Sequence, residues 1–108
     1  MDRLRFIEGM NRDIHFTDAE REEILQRSLD VNGSKIKCII AMEEFAELQQ
    51  AVSKMLRYGE EADRISLLEE MADAYLCLYN LKRIFEITDD LVWKAIDVKL
   101  QREKERLG

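Results

Sequence analysis

The stretch SKIKCIIAMEEFAELQQAVSKMLRY, residues 34–58, decides the fold. Within it Cys38, Ala41, Phe45, Leu48, Val52 and Met55 recur at alternating spacings of three and four, the stripe by which one α-helix packs along another. Ser34 stands where an N-cap is expected, and Gly59 is free to take the left-handed conformation that closes a helix C-terminus. Working outward, Leu4, Ile7 and Met10 predict a short helix over 3–12, weakened by Gly9. Thr17 and Glu20 form a capping box that opens a helix through about Val31, which Asn32-Gly33 ends. After an acidic loop at 60–63, Ser66 and Glu69 read as a second capping box, starting a helix that runs to about Glu86. Thr88 caps a last helix that reaches almost to the C-terminus. Short connections between long amphipathic helices predict an all-α antiparallel bundle of four to five helices, in a single domain spanning 1–108.

Composition supports this reading. The absence of proline and the presence of only four glycines remove the punctuation of turn-rich β folds. The 46% hydrophobic content supplies a core and argues against disorder. With 23 acids against 17 Lys and Arg, a net charge of −6 excludes the cationic surface that grips nucleic-acid polymers. The N-terminal MDRLRFIEGMNRD has charges where a signal peptide needs an apolar run, and no stretch approaches the roughly 20 apolar residues of a membrane span. A cytosolic protein is expected. Cys38 and Cys77 lie in apolar helical patterns without metal or redox spacing and read as free thiols.

Most acids sit among polar neighbours; Glu86, with Lys82, Arg83, Asp89 and Asp90 at its helical offsets, is a surface position or a helix end. Glu44 differs. Its neighbours are Ile40, Ala41, Glu47 and Leu48, with Ala51 and Met55 further along the same side, which puts a carboxylate inside the apolar arc, with Glu47 at its edge. Glu70 repeats the anomaly between Leu67, Asp73 and Ala74, with Cys77 and Leu81 beyond. Two facing helices thus each bring an acid pair, Glu44-x-x-Glu47 and Glu70-x-x-Asp73, to a hydrophobic interface. Desolvating one unpaired carboxylate costs several kcal/mol, a large part of the roughly 5 to 15 kcal/mol that holds a domain together. Something must compensate.

Oxygen ligands with no His or Cys favour Mg²⁺, with Mn²⁺ as the alternative, and Mg²⁺ held by a few carboxylates usually also takes waters and phosphates. No EF-hand loop is present, and the Glu-x-x-His pairs of di-iron bundles are missing, because the one histidine, His15, lies outside every such pair.

The run Glu43-Glu44-x-x-Glu47-Leu48, followed after 22 intervening residues by Glu70-x-x-Asp73, resembles the MazG-like all-α nucleoside triphosphate pyrophosphohydrolases. That superfamily also includes dimeric dUTPases and phosphoribosyl-ATP pyrophosphohydrolases. The resemblance covers residues 34–104. It implies metal roles for Glu44, Glu47, Glu70 and Asp73 and cleavage of a nucleoside triphosphate between its α and β phosphates. It leaves the general base open between Glu43 and Glu44, with Glu43 equally readable as a plain surface acid. It also implies a homodimer or homotetramer with the substrate pocket at or near the interface. Base and sugar preference lies outside the motif.

Cations for the phosphates are sought in the last helix. Lys99 follows Val92, Ala95 and Ile96 on one face, where a lysine calls for an anionic partner. It resembles the basic residue that the family places near the phosphates. The Asn that accompanies that residue in some members is missing, with Arg102 or Lys104 in its stead. Lys54, two turns beyond Glu47, is a phosphate candidate or a surface ion pair. Asn80, two turns past Asp73, is a substrate contact or a buried structural amide. Trp93 and the tyrosines read as core or interface. The competing expectation is a non-catalytic helical interaction module whose inner acids pair with Lys99, Arg57 or another subunit; a metal-carboxylate redox bundle is disfavoured by the missing histidines.

Overall fold

The computed structural model describes residues 3–108; Met1 and Asp2, the first two residues of the expected domain, lie outside the described residues. The chain is all-α: α1 Arg3–Met10, α2 Asp18–Asn32, α3 Ser34–Arg57, α4 Glu61–Ile84 and α5 Asp89–Leu107, with no strand among the described residues. No helix is long and apolar enough to cross a membrane, again among the described residues.

The caps explain the boundaries. The Thr17 hydroxyl accepts from the Glu20 backbone N–H at 3.1 Å while the Glu20 carboxylate accepts from Thr17 N–H at 2.9 Å, which opens α2 as expected. Thr88 accepts from Leu91 N–H at 3.2 Å at the start of α5. Gly33, at φ 87°, separates α2 from α3 and itself takes the N-cap position assigned above to Ser34. α3 ends at Arg57, with Gly59 at φ 66° turning the chain.

α4 begins earlier than the Ser66–Glu69 pattern predicts. The acidic stretch read as a loop is its first turn: Glu60 is the N-cap, and the Asp63 carboxylate accepts from Glu60 N–H at 3.1 Å. Glu61 and Asp63 suit the positive end of the helix dipole there. The other end stops at Ile84, two residues short of expectation, because Glu86 adopts φ 54° and Ile87 N–H donates to the Lys82 carbonyl at 2.9 Å. That is a Schellman closure with a glutamate in the usual glycine position.

The tight packing lies between α3 and α4, an antiparallel hairpin closed by a three-residue connection, Tyr58 to Glu60. Ala41 and Ala51 of α3 and Ala74 and Cys77 of α4 are the buried apolar residues, small enough to let the two helices approach closely. Ala51 takes the inner place expected for Val52, which is 43% exposed. The inner row of α3 thus runs Ala41, Glu44, Leu48, Ala51 and Met55, and Glu44 shares it. α2 lies alongside, tied to α4 by an ion pair between Glu22 and Arg83. α5 makes scarcely any contact with the bundle; only Val92 and Ile96 along it are partly covered.

The chain exposes 8913 Å², whereas a compact monomer of 12.8 kDa exposes about 6300 Å². Its radius of gyration is 16.5 Å, against about 13 Å expected for this length.

A non-glycine residue at positive φ carries strain of about 1 kcal/mol. Glu86→Gly is therefore expected to raise the midpoint of urea unfolding slightly, by up to about 1 kcal/mol in stability. A lowered midpoint would show that the Glu86 side chain contributes more than its backbone strain costs.

Candidate metal centre

α3 and α4 present their acids to one another because each pair is spaced one helical turn apart on the inner face of the hairpin. Carboxylate oxygens of Glu44, Glu47 and Glu70 all lie within 4.8 Å of one another. Asp73 adjoins them: its charge acts on both Glu44 and Glu70. The cluster has a closed floor and an open mouth. Glu70 is buried, Glu44 and Asp73 are half-buried, and Glu47 is exposed. Among the described residues, the Oε2 atoms of Glu44 and Glu70 are buried without a hydrogen-bond partner. Orphaned buried acceptors of this kind need a donor or a cation, and water or metal would supply it.

Desolvation is the first cause that raises Glu44 to about 7 from an ordinary value of 4.5, with the charges of Asp73 and Glu47 adding to it. Glu70 is also raised, again first by burial and then by Glu47 and Asp73, with Arg3 opposing. Cys77, a buried free thiol on the floor side, is pushed up by burial and by Glu44 and Asp73. Among the described residues the cluster is thus short of positive charge.

The cation it does have was not legible in the sequence. Arg3 of α1 donates from Nη1 to Glu69 Oε1 at 2.6 Å, and its Nη2 lies 3.6 Å from Glu70 Oε1. Glu69, assigned above to a helix cap, is buried in mid-helix at 4% exposure. The two partners are 66 residues apart, so no local pattern joins them.

Other expected residues are dispersed. Glu43 and Lys54 are exposed on α3. Lys99 and Arg102 line an open face of α5 with Leu91, Val92, Ala95 and Ile96, a surface that includes none of the four acids, and Lys104 is exposed beyond it. Asn80 is buried at 6% exposure, and its Oδ1 has no donor among the described residues. Arg57 stacks over Tyr58 at 5.4 Å instead of meeting the inner acids. Trp93 and all three tyrosines are exposed, and His15 lies in an exposed non-helical segment.

The raised Glu44 fixes the direction of a pH effect. A carboxyl whose folded value exceeds its unfolded one stabilises the fold below the unfolded value of 4.5, and that contribution is lost as pH climbs to about 7. Metal binding needs the ionised form and runs the other way. The metal-free melting temperature is expected to fall between about pH 5 and 8, less so in Glu44→Gln, while Mg²⁺ raises it more at the upper end. Equal pH profiles for the two proteins would contradict the assignment. The chain matches no family model, no curated protein and no solved structure, so the reading of this site rests on its own residues.

Proposed function

We propose that the chain is a Mg²⁺-dependent nucleoside triphosphate pyrophosphohydrolase, acting in the cytosol on a nucleotide held at Glu44, Glu47, Glu70 and Asp73. The observation that carries the reading is the convergence of three carboxylates within 4.8 Å, two of them with buried, unpartnered oxygens. Glu44, Glu47 and Glu70 would each offer one oxygen to the ion, with Asp73 beside them. An all-carboxylate donor set suits Mg²⁺ or Mn²⁺ and does not suit zinc.

When bound, the divalent ion supplies charge neutralisation of the triphosphate and polarisation of its phosphoryl oxygens. The protein's part is positional. The rigid α3–α4 hairpin fixes the acids, and the open side at Glu47 admits a substrate. A water oxygen attacks the α phosphorus, the α-phosphorus bond to the bridging oxygen breaks, and pyrophosphate leaves with the electron pair. The proton passes to a carboxylate. Glu43 and Glu44 are the candidates: Glu43 is exposed on α3 one residue before Glu44, and Glu44 is raised to about 7 in the metal-free chain.

The substrate's phosphates also need cations, and Lys99, Arg102 and Lys54 are offered for them from outside the cluster. A second copy would reconcile their placement with that role. The chain exposes about 2600 Å² more than a compact monomer of its mass. Two copies hiding that excess would bury about 5000 Å², the scale of an obligate homodimer interface. The poorly packed α5, which carries Lys99 and Arg102, exposes Leu91, Val98 and Leu100, and Trp93, at 64% exposed, lies on it. We infer a homodimer or homotetramer in which α5 packs on a partner.

One observation favours a second reading. Arg3 pairs with Glu69 and approaches Glu70, as expected of a non-catalytic interaction module with buried acid–base pairs, although the cation is neither Lys99 nor Arg57.

The two readings part in solution. Offered a panel of canonical and modified nucleoside triphosphates with Mg²⁺, the protein is expected to release monophosphate and pyrophosphate. Orthophosphate with diphosphate would refute the cleavage position. Glu44→Gln and Asp73→Asn should each lower turnover at least a hundredfold with helical content unchanged; full activity in either would remove that residue from the metal site. Light scattering is expected to give at least twice the mass of one chain, and a monomeric mass would contradict the inferred assembly.

A further inference from the structure

The first helix is held to the rest of the chain in an unusual way. None of its residues is fully buried; Phe6 and Ile7 are only half-covered. Among the described residues, its ion pairs with the other helices all run through Arg3, whose guanidinium spans two neighbouring carboxylates of α4. One of them, Glu69, lies outside the converging trio. The other, Glu70, is a member of it. Glu69 Oε2 and Glu70 Oε2 are both buried and have no partner among the described residues, where Arg3 satisfies only part of the demand on the floor of the cluster.

We propose that Arg3 is a resident counter-cation of the acid cluster, so that docking of α1 and loading of a divalent cation at Glu44, Glu47 and Glu70 oppose one another. This rests on the metal reading given above and adds a regulatory consequence to it. The fork of an arginine can serve two carboxylates at once, which a lysine cannot do with the same geometry. In the metal-free chain Arg3 offsets the charge of Glu70. A divalent ion on Glu70 takes over that charge and repels the guanidinium a few ångströms away, in surroundings where screening by water is incomplete. Glu69 retains its hold on Nη1, so α1 loosens without detaching. A helix with so little buried apolar surface opens at small cost. α1 would therefore be held against the floor of an empty site and slack against a loaded one, and loading would require a higher metal concentration for the exchange. Lys37 is the other cation acting nearby, on Cys77, but it makes no ion pair with the four acids among the described residues.

Two measurements on the full chain test this. Titration calorimetry with MnCl₂ at low ionic strength is expected to show Arg3→Gln binding Mn²⁺ about tenfold more tightly than the wild type, with Arg3→Lys close to the wild type. The gap should narrow at high salt. Hydrogen exchange on the wild-type protein, which needs no variant to fold, is expected to show backbone amides of Phe6 to Met10 exchanging several-fold faster with saturating Mg²⁺ than without it. Unchanged or weaker Mn²⁺ binding in Arg3→Gln would overturn the inference while leaving the metal site standing, as would slower α1 exchange on loading. No Mn²⁺ binding in either protein would overturn the metal reading and this inference with it.

Discussion

The structure depends on the cost of placing carboxylates where two helices meet. Glu44, Glu69 and Glu70 occupy positions on the α3–α4 hairpin that packing would give to leucine or methionine, and a chain of this size has little stability with which to offset several desolvated charges. Replacing them by apolar residues would make a better hairpin. Their presence calls for compensation, by the proton that the raised Glu44 and Glu70 hold or by positive charge. Arg3 provides a part of the charge and meets two of the acids, and among the described residues one oxygen on each of Glu44, Glu69 and Glu70 has no partner. The remaining demand is what a divalent cation would meet.

The same hairpin explains why one chain looks unfinished. Its interior is built from alanines and a cysteine, with the larger apolar side chains turned outward: Leu68, Leu76 and Leu78 of α4 and Leu91, Trp93 and Leu100 of α5 are each more than 40% exposed. Small inner residues bring the acid-bearing helices close enough to converge, and the outer rows are left to find another surface. On the proposed reading, the geometry that makes the metal site and the geometry that calls for a second copy are one arrangement seen from two sides of the same helices.

Much of this was legible in the sequence because it is local. The Thr17 and Thr88 caps, the Gly59 turn and the period of residues 34–58 are each encoded within a few residues, and the four acids stood out by the apolar company they keep. The failures were of one kind. Ser66-x-x-Glu69 has the spacing of a capping box, but the Glu69 carboxylate is drawn to Arg3 at the far end of the chain, and the true start at Glu60 and Asp63 was hidden because acids there resemble a solvated loop. Val52 and Ala51 exchange places because close approach of the helices favours the smaller side chain on the inner row. Arg3 itself carried no local signal.

The central claim is that Glu44, Glu47 and Glu70 jointly hold a divalent ion. It is tested most directly by an anomalous difference map from crystals grown with Mn²⁺. The account predicts a single strong peak between the three carboxylates, about 2.2 Å from an oxygen of each, with Asp73 adjoining it. A map with no peak there at saturating Mn²⁺, or with Arg3 filling the position against both Glu69 and Glu70, would contradict it.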